Sequence, residues 1–314
     1  MAVLWRMPTG FQPGKAASGL ALSLLALSLL AMSAAVTGAY AEPRPPSMVA
    51  DFDTACLPAS DWRVSSGLAE AVRAERIRCV DRGEGGRALA VTVRPGDAYD
   101  PNPGARPTER AEFQLRRELI RFDATSWYSF RFRTGESWPL TRNRTVIHQI
   151  KQNIDLRYEK GRGGEEICDP ANPLFKIEVD GGPDGPVFRA KTAGTPGCGD
   201  SVGQRRICGD WRVTPDDWHR VHVAIRPASA GQESRLRLWL DGRACPVFTG
   251  TLGYPRYGTT REGRPVIDTQ PRFGLYRDAL PDIAQTILFD DIAFWTEDPG
   301  DHPVWQGLAG RAGE

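Results

Sequence analysis

Residues Arg110-Ala111-Glu112-Phe113-Gln114-Leu115-Arg116 alternate apolar and polar with a period of two. This is the spacing of a half-buried strand. Ala111, Phe113 and Leu115 then face a core, and Arg110, Glu112, Gln114 and Arg116 stand in a row on the other face. Such a row is either a solvated surface or the floor of a binding groove. Two later stretches favour the groove: Thr145 to Gln152 and Arg272 to Asp278 are also strand-like, and each sets charged or hydrogen-bonding groups beside apolar ones.

The same pattern recurs along the chain. Met48 to Phe52, Ala88 to Val93, Ser126 to Phe132, Leu174 to Val179, Trp218 to Ile225, Arg235 to Leu240 and Thr286 to Trp295 all read as strands. Asp241-Gly242 is a hairpin turn signal. Asp97 to Thr108 and Arg157 to Pro173 are rich in Gly, Pro and polar residues and read as loops. No helical periodicity of useful length occurs after the first 41 residues. Many short strands with Gly and Pro turns predict an all-β fold, an antiparallel sandwich or jelly roll.

Arg6 and Lys15 precede an unbroken apolar or small run from Gly19 to Val36, and Ala39-Tyr40-Ala41 supplies small residues for cleavage before Glu42. Residues 1–41 therefore read as a signal peptide of a secreted protein, periplasmic or extracellular. The length of the run also fits a retained anchor. Residues 42–47 form a short Pro-rich linker, 48–298 a single domain and 299–314 a C-terminal tail. No second run is long enough to span a membrane, and a monomer is expected.

The net charge is +1. Loss of the first 41 residues, with two bases and no acids, brings it to about −1. Bulk attraction to nucleic acid is not expected, so any affinity for an acidic polymer must be local. The bases are nearly all arginine, which suits paired hydrogen bonds to carboxylates, though codon bias produces the same composition. Six cysteines in a secreted chain predict three disulfides. Cys56 and Cys79 are expected to pair because both lie in the N-terminal segment. The pairing of Cys168, Cys198, Cys208 and Cys245 stays open.

Arg110-Ala111-Glu112, then Val146-Ile147-His148-Gln149-Ile150-Lys151-Gln152, then Phe273-Gly274-Leu275-Tyr276-Arg277-Asp278, with Phe289-Asp290-Asp291 at the end, together resemble the heparin-lyase-I-like polysaccharide lyases. These are related in fold to the alginate and glucuronan lyases. The resemblance spans about residues 48 to 296. It implies a two-sheet, concanavalin-like jelly roll that binds an acidic polysaccharide and cleaves it by β-elimination, with no cofactor. Alginate lyases carry Gln-Ile-His where this chain has Gln149-Ile150-Lys151, so a histidine base is in doubt.

β-Elimination at a uronate needs the carboxylate neutralised, a base for the adjacent carbon-bound proton and an acid for the leaving oxygen. Arg110 and Gln149 suit the first role. Tyr276 suits proton transfer. A tyrosine has an unperturbed pKa of about 10 and becomes a base where cations favour the phenolate. Lys151, Arg272 and Arg277 are candidate cations, and Lys151 joins the catalytic set. Glu112, Gln114, Arg272, Arg277 and His148 are candidate substrate contacts. Strand alternation, however, points His148 away from Gln149, toward a core. Asp290 and Asp291 could hold a structural calcium, although adjacent residues on a strand face opposite ways. No other metal site is expected. A carbohydrate-binding module without catalysis and a glycoside hydrolase are the competing readings. The hydrolase would need two carboxyl groups flanking the bond.

Overall fold

The computed structural model describes residues 42–54, 56, 61–64, 70–83, 85–97, 106–116, 118–135, 138–140, 142–154, 172–195, 203–229, 231–254 and 267–308. The expected signal peptide, most of the Arg157 loop, Cys168 and Cys198 lie outside these residues.

Sixteen described strands build two antiparallel sheets. The seven-stranded sheet has the order β10 (Gln204–Arg212), β9 (Val187–Ala193), β8 (Phe175–Asp180), β7 (Thr145–Ile154), β15 (Ile267–Asp278), β5 (Thr108–Leu115) and β2 (Trp62–Val64). The nine-stranded sheet runs β13 (Arg243–Ala244), β12 (Ser234–Leu240), β11 (His219–Arg226), β6 (Ser126–Thr134), β16 (Gln285–Trp295), β4 (Arg87–Val93) and β3 (Ile77–Asp81). In addition, β1 (Met48–Ala50) pairs with β16, and β14 (Phe248–Gly250) with β12. The strands that interleave distant parts of the chain, β5 with β15 and β4 with β16, make this a jelly roll. Asp241 and Gly242 both take positive φ, 50° and 77°, the two-residue turn that joins β12 to β13.

The core lies between the sheets. Phe113 and Phe273 stack at 5.6 Å, and Phe130 and Phe289 meet Phe273 edge-on at 5.2 and 6.0 Å. Phe113 and Phe273 come from the alternation that defines β5 and β15, and their registered pairing places them side by side. Pro271 marks where β15 parts from β5, since pairing on that side begins at Arg272. Proline has no N–H to give such a ladder.

One short helix, α1 (Glu70–Arg76), was not signalled by periodicity. The segment expected as a tail is part of the fold to residue 308. A 3₁₀ turn, Pro303–Trp305, buries Trp305 against Trp127, Trp239 and Trp295 on the outer face of the nine-stranded sheet. Cys56 bonds to Cys79 as expected, and Cys208 bonds to Cys245. Among the described residues no helix is long and apolar enough to cross a membrane.

Candidate active site

Residues directly opposite in an antiparallel pair share a face. On the outer face of the seven-stranded sheet one register row links Gln114 on β5, Arg272 on β15 and Gln149 on β7. A second links Arg110, Tyr276 and Val146 on the same strands. The rows lie four residues apart on β15, or about 13 Å at strand rise. They are three apart on β7 and two on β8, where Lys176 and Glu178 continue them. Register shifts between Phe273 and Tyr276 and between Val146 and His148 produce this fan. Its open end holds Glu112 paired with Gly274.

Gly274 has a φ of 140°, and a Cβ there would lie 2.3 Å from the Ala111 carbonyl oxygen and 2.7 Å from Glu112 Cα. Only glycine fits. The floor between Arg272 and Tyr276 is therefore bare backbone. Across it, Gln149 Nε2 donates to Glu112 Oε1 at 2.6 Å, and Arg110 Nε donates to Glu112 Oε2 at 2.5 Å. Glu112 is fully buried, and Arg110 and Gln149 are nearly so. One carboxylate thus sets the orientation of two hydrogen-bond donors from two strands.

Tyr276 is half-buried at the rim. The Arg110 guanidinium carbon lies 5.0 Å from its ring centre and that of Arg144 4.9 Å. Arg144 is held by Asp278, at 3.0 Å from Nε and 2.9 Å from the terminal nitrogen. Burial pulls the Arg144 pKa down, but its neighbours, Asp278 foremost, outweigh it and the net shift is upward.

Several expected residues stand elsewhere. His148, expected as a substrate contact, is fully buried behind the sheet, packed on Phe273 at 4.5 Å and bonded to Tyr128 Oη at 2.8 Å and the Arg272 carbonyl at 2.9 Å. Its burial drives the imidazole pKa down to about 3, so it is neutral. Arg277, expected in the groove, is also buried in the sandwich, where it pairs with Glu109 at 2.6 Å and Gln285 at 3.2 Å. Alternation along β15 accounts for this: with Tyr276 outside, Arg277 must be inside. Lys151 is on the outer face but pairs with Gln270, six residues from Tyr276 along β15. That is roughly 20 Å, too far for both to act on one proton. Arg272 and Gln114 lie on the same outer face; Arg272 reaches Gln270 at 3.2 Å, and Gln114 touches Gln270 and Arg63.

Asp290 and Asp291 do not fit a calcium ion. A shift in β16 turns both toward arginines: Asp290 meets Arg82 at 2.5 Å and Arg131 at 2.7 Å, and Asp291 meets Arg131 at 2.8 Å and Arg220 at 2.7 Å. Their charge is already matched. Trp138 is buried in the core between the sheets, and Trp239 is buried against Trp305 on the outer face of the nine-stranded sheet.

Sequence reasoning missed Arg144 and the ionic cluster on β8 and β9. There Glu178 is fully buried and meets Lys176 at 2.7 Å and Lys191 at 2.5 Å. Burial opposes the Glu178 charge, yet the two lysines prevail and hold its pKa below the usual carboxylate value.

A polysaccharide lyase family profile matches residues 60–293, well over half of the chain. The chain belongs to the polysaccharide lyase family. The lyase assignment removes the non-catalytic module and the hydrolase as readings. Among solved structures, the lyase is similar to an endo-β-1,4-glucuronan lyase from the fungus Trichoderma reesei, with 19% identity, a TM-score of 0.54, and coverage of 81% of this chain and 96% of that one. It is also similar to an alginate lyase from Pseudomonas aeruginosa, with 13% identity, a TM-score of 0.48 and coverage of 76% and 99%. At such identities the likeness to the glucuronan lyase shows the jelly-roll fold. None of the curated proteins compared matches the chain.

Proposed function

We propose that this polysaccharide lyase is an exported enzyme that cleaves a uronate-containing polysaccharide by β-elimination on the outer face of its seven-stranded sheet. The observation that carries this reading is the cationic and amide ring around the bare Gly274 floor. Arg110 and Gln149, fixed by Glu112, take the uronate carboxylate and stabilise the enolate-like charge that develops when the adjacent carbon loses its proton. Tyr276 carries the protons: its oxygen takes the carbon-bound proton and returns one to the departing glycosidic oxygen. Arg110 and Arg144 set positive charge beside that oxygen as the proton moves. Glu112 acts through its neighbours and is a positioning residue. Lys151 and Arg272 contact substrate along the rim and leave proton transfer to Tyr276.

Export is supported by the leader-like N-terminal sequence and by two disulfides among the described residues, which persist in oxidising compartments. The test is a panel of glucuronan, alginate, heparin-type and hyaluronan polymers, followed by the ultraviolet absorbance of the conjugated double bond. Elimination creates that bond and hydrolysis does not. Growth of absorbance on a uronate polymer supports the reading, and products with saturated ends only would overturn it.

A further inference from the structure

The row that passes the Gly274 floor does not stop at Gln149. Gln149 is in register with Lys176 on β8, Lys176 with Lys191 on β9, and Lys191 with Arg206 on β10. On the other side Gln114 is in register with Arg63 on β2, where the sheet ends. One line perpendicular to the strands thus crosses all seven of them on bases and amides alone. At about 4.8 Å per strand it spans roughly 29 Å.

The nearby acids do not neutralise the line. Glu178 stands one step aside and serves two lysines, leaving a positive excess in a recessed place. Arg206 pairs with Asp210 at 2.8 Å, an ion pair more than half exposed and so weakly held. Asp210 and Asp180 are shared with Arg189. Val146, between Tyr276 and Glu178, adds no charge. The line is also lopsided: three strands with Lys176, Lys191 and Arg206 lie beyond β7, but only β2 with Arg63 lies beyond β5.

We propose that this line is a track for a polyanionic sugar chain laid across the strands, with most of its binding positions on the β8 to β10 side of the cleaved bond. Resting on the uronate-lyase reading, it narrows the substrate to chains that carry carboxylates on successive sugars. It also makes the enzyme one that gains from several residues on one side of the bond.

The experiment compares kcat/KM on oligomers of two to eight sugars, prepared from whichever panel polymer is cut fastest, for the wild type and a Lys191→Gln/Arg206→Gln double variant. Both side chains are partly exposed, and circular dichroism and Tm check the fold. The wild type should gain steeply with length. In the double variant the long-to-short ratio should fall about fivefold, the scale of two exposed charge contacts, and the salt dependence on long chains should weaken. An unchanged ratio in a variant that folds normally would overturn the track and leave the uronate-lyase reading standing. A wild type that cuts no polymer in the panel would overturn the uronate-lyase reading and the track with it.

Discussion

Glu112 and Gln149 are joined by a 2.6 Å hydrogen bond although a whole strand, β15, lies between β5 and β7. They meet because the β15 residue opposite Glu112 is Gly274, which puts no side chain in the way. A backbone requirement and a functional one coincide there: the φ of 140° and the lack of room for a Cβ against the Ala111 and Glu112 backbone demand glycine, and glycine opens the floor.

Gly274→Ala tests that coincidence. The added methyl must displace β5 backbone at Ala111 and Glu112, and the residue would be strained at this φ. A loss of about 3 kcal/mol or more in unfolding free energy is expected, read as a lower urea midpoint. Any protein that still folds should have little lyase activity. A variant with wild-type stability would show that β5 does not lie as close as described.

Glu112→Gln keeps the shape of the side chain and removes its charge. Arg110 would then be left nearly buried without its carboxylate, and breaking such a pair by removing one partner costs roughly 3–5 kcal/mol. A loosened Arg110 should raise KM and lower kcat together, since it meets the substrate carboxylate both before and during elimination. Steady-state kinetics at matched folded fraction separates this from simple unfolding. Wild-type kinetics in the folded variant would remove Glu112 from its positioning role.

His148 sets an acid limit to stability. Its folded pKa is about 3 against 6.5 unperturbed, so between these values the unfolded chain binds a proton that the native protein does not. The contribution of His148 is therefore full above pH 6.5 and falls as pH drops toward 3. Each pH unit within that window removes at most about 1.4 kcal/mol. Urea midpoints measured from pH 7 to 4 should fall, and His148→Gln should flatten that limb. A slope unchanged by the substitution would place the acid sensitivity in the carboxylates instead.

Much of this arrangement is legible in the sequence because strand alternation is strict. The facing of Ala111, Phe113 and Leu115, the burial of His148 opposite Gln149, and the type of turn at Asp241-Gly242 all follow from it. Applied at Arg277, the same rule places that guanidinium inside, where Glu109 supplies its partner. Register shifts have no such signal. The extra residues in β7 and β15 fan the rows apart, the register of the two strands sets Lys151 against Gln270 and far from Tyr276, and a separate shift in β16 brings Asp290 and Asp291 together on Arg131, none of which an alternating pattern foretells. Arg144 escaped for a different reason: it precedes the apolar run of β7 in an arginine-rich chain, and only the pairing of Tyr276 with Val146 carries it to the ring.

Arg144→Gln should separate the two arginines that flank Tyr276. It removes the guanidinium that faces the Tyr276 ring and one of the two arginine partners of Asp278, but leaves Arg110 and Glu112 in place. Turnover should fall about tenfold or more with KM less affected, because the charge beside the proton carrier acts mainly in the transition state. Arg144→Lys should restore part of the rate by restoring the charge. A loss of binding alone would make Arg144 a substrate contact.

The most direct measurement of the account is the turnover of Tyr276→Phe on the best panel polymer, followed by the absorbance of the conjugated double bond, with polymer binding measured alongside. The substitution keeps the ring between Arg110 and Arg144 and deletes only the hydroxyl. If Tyr276 moves the protons, turnover falls by a factor of roughly 100 to 10,000 while affinity changes little. A Tyr276→Phe enzyme that turns over like the wild type would contradict the account and remove the tyrosine from the chemistry.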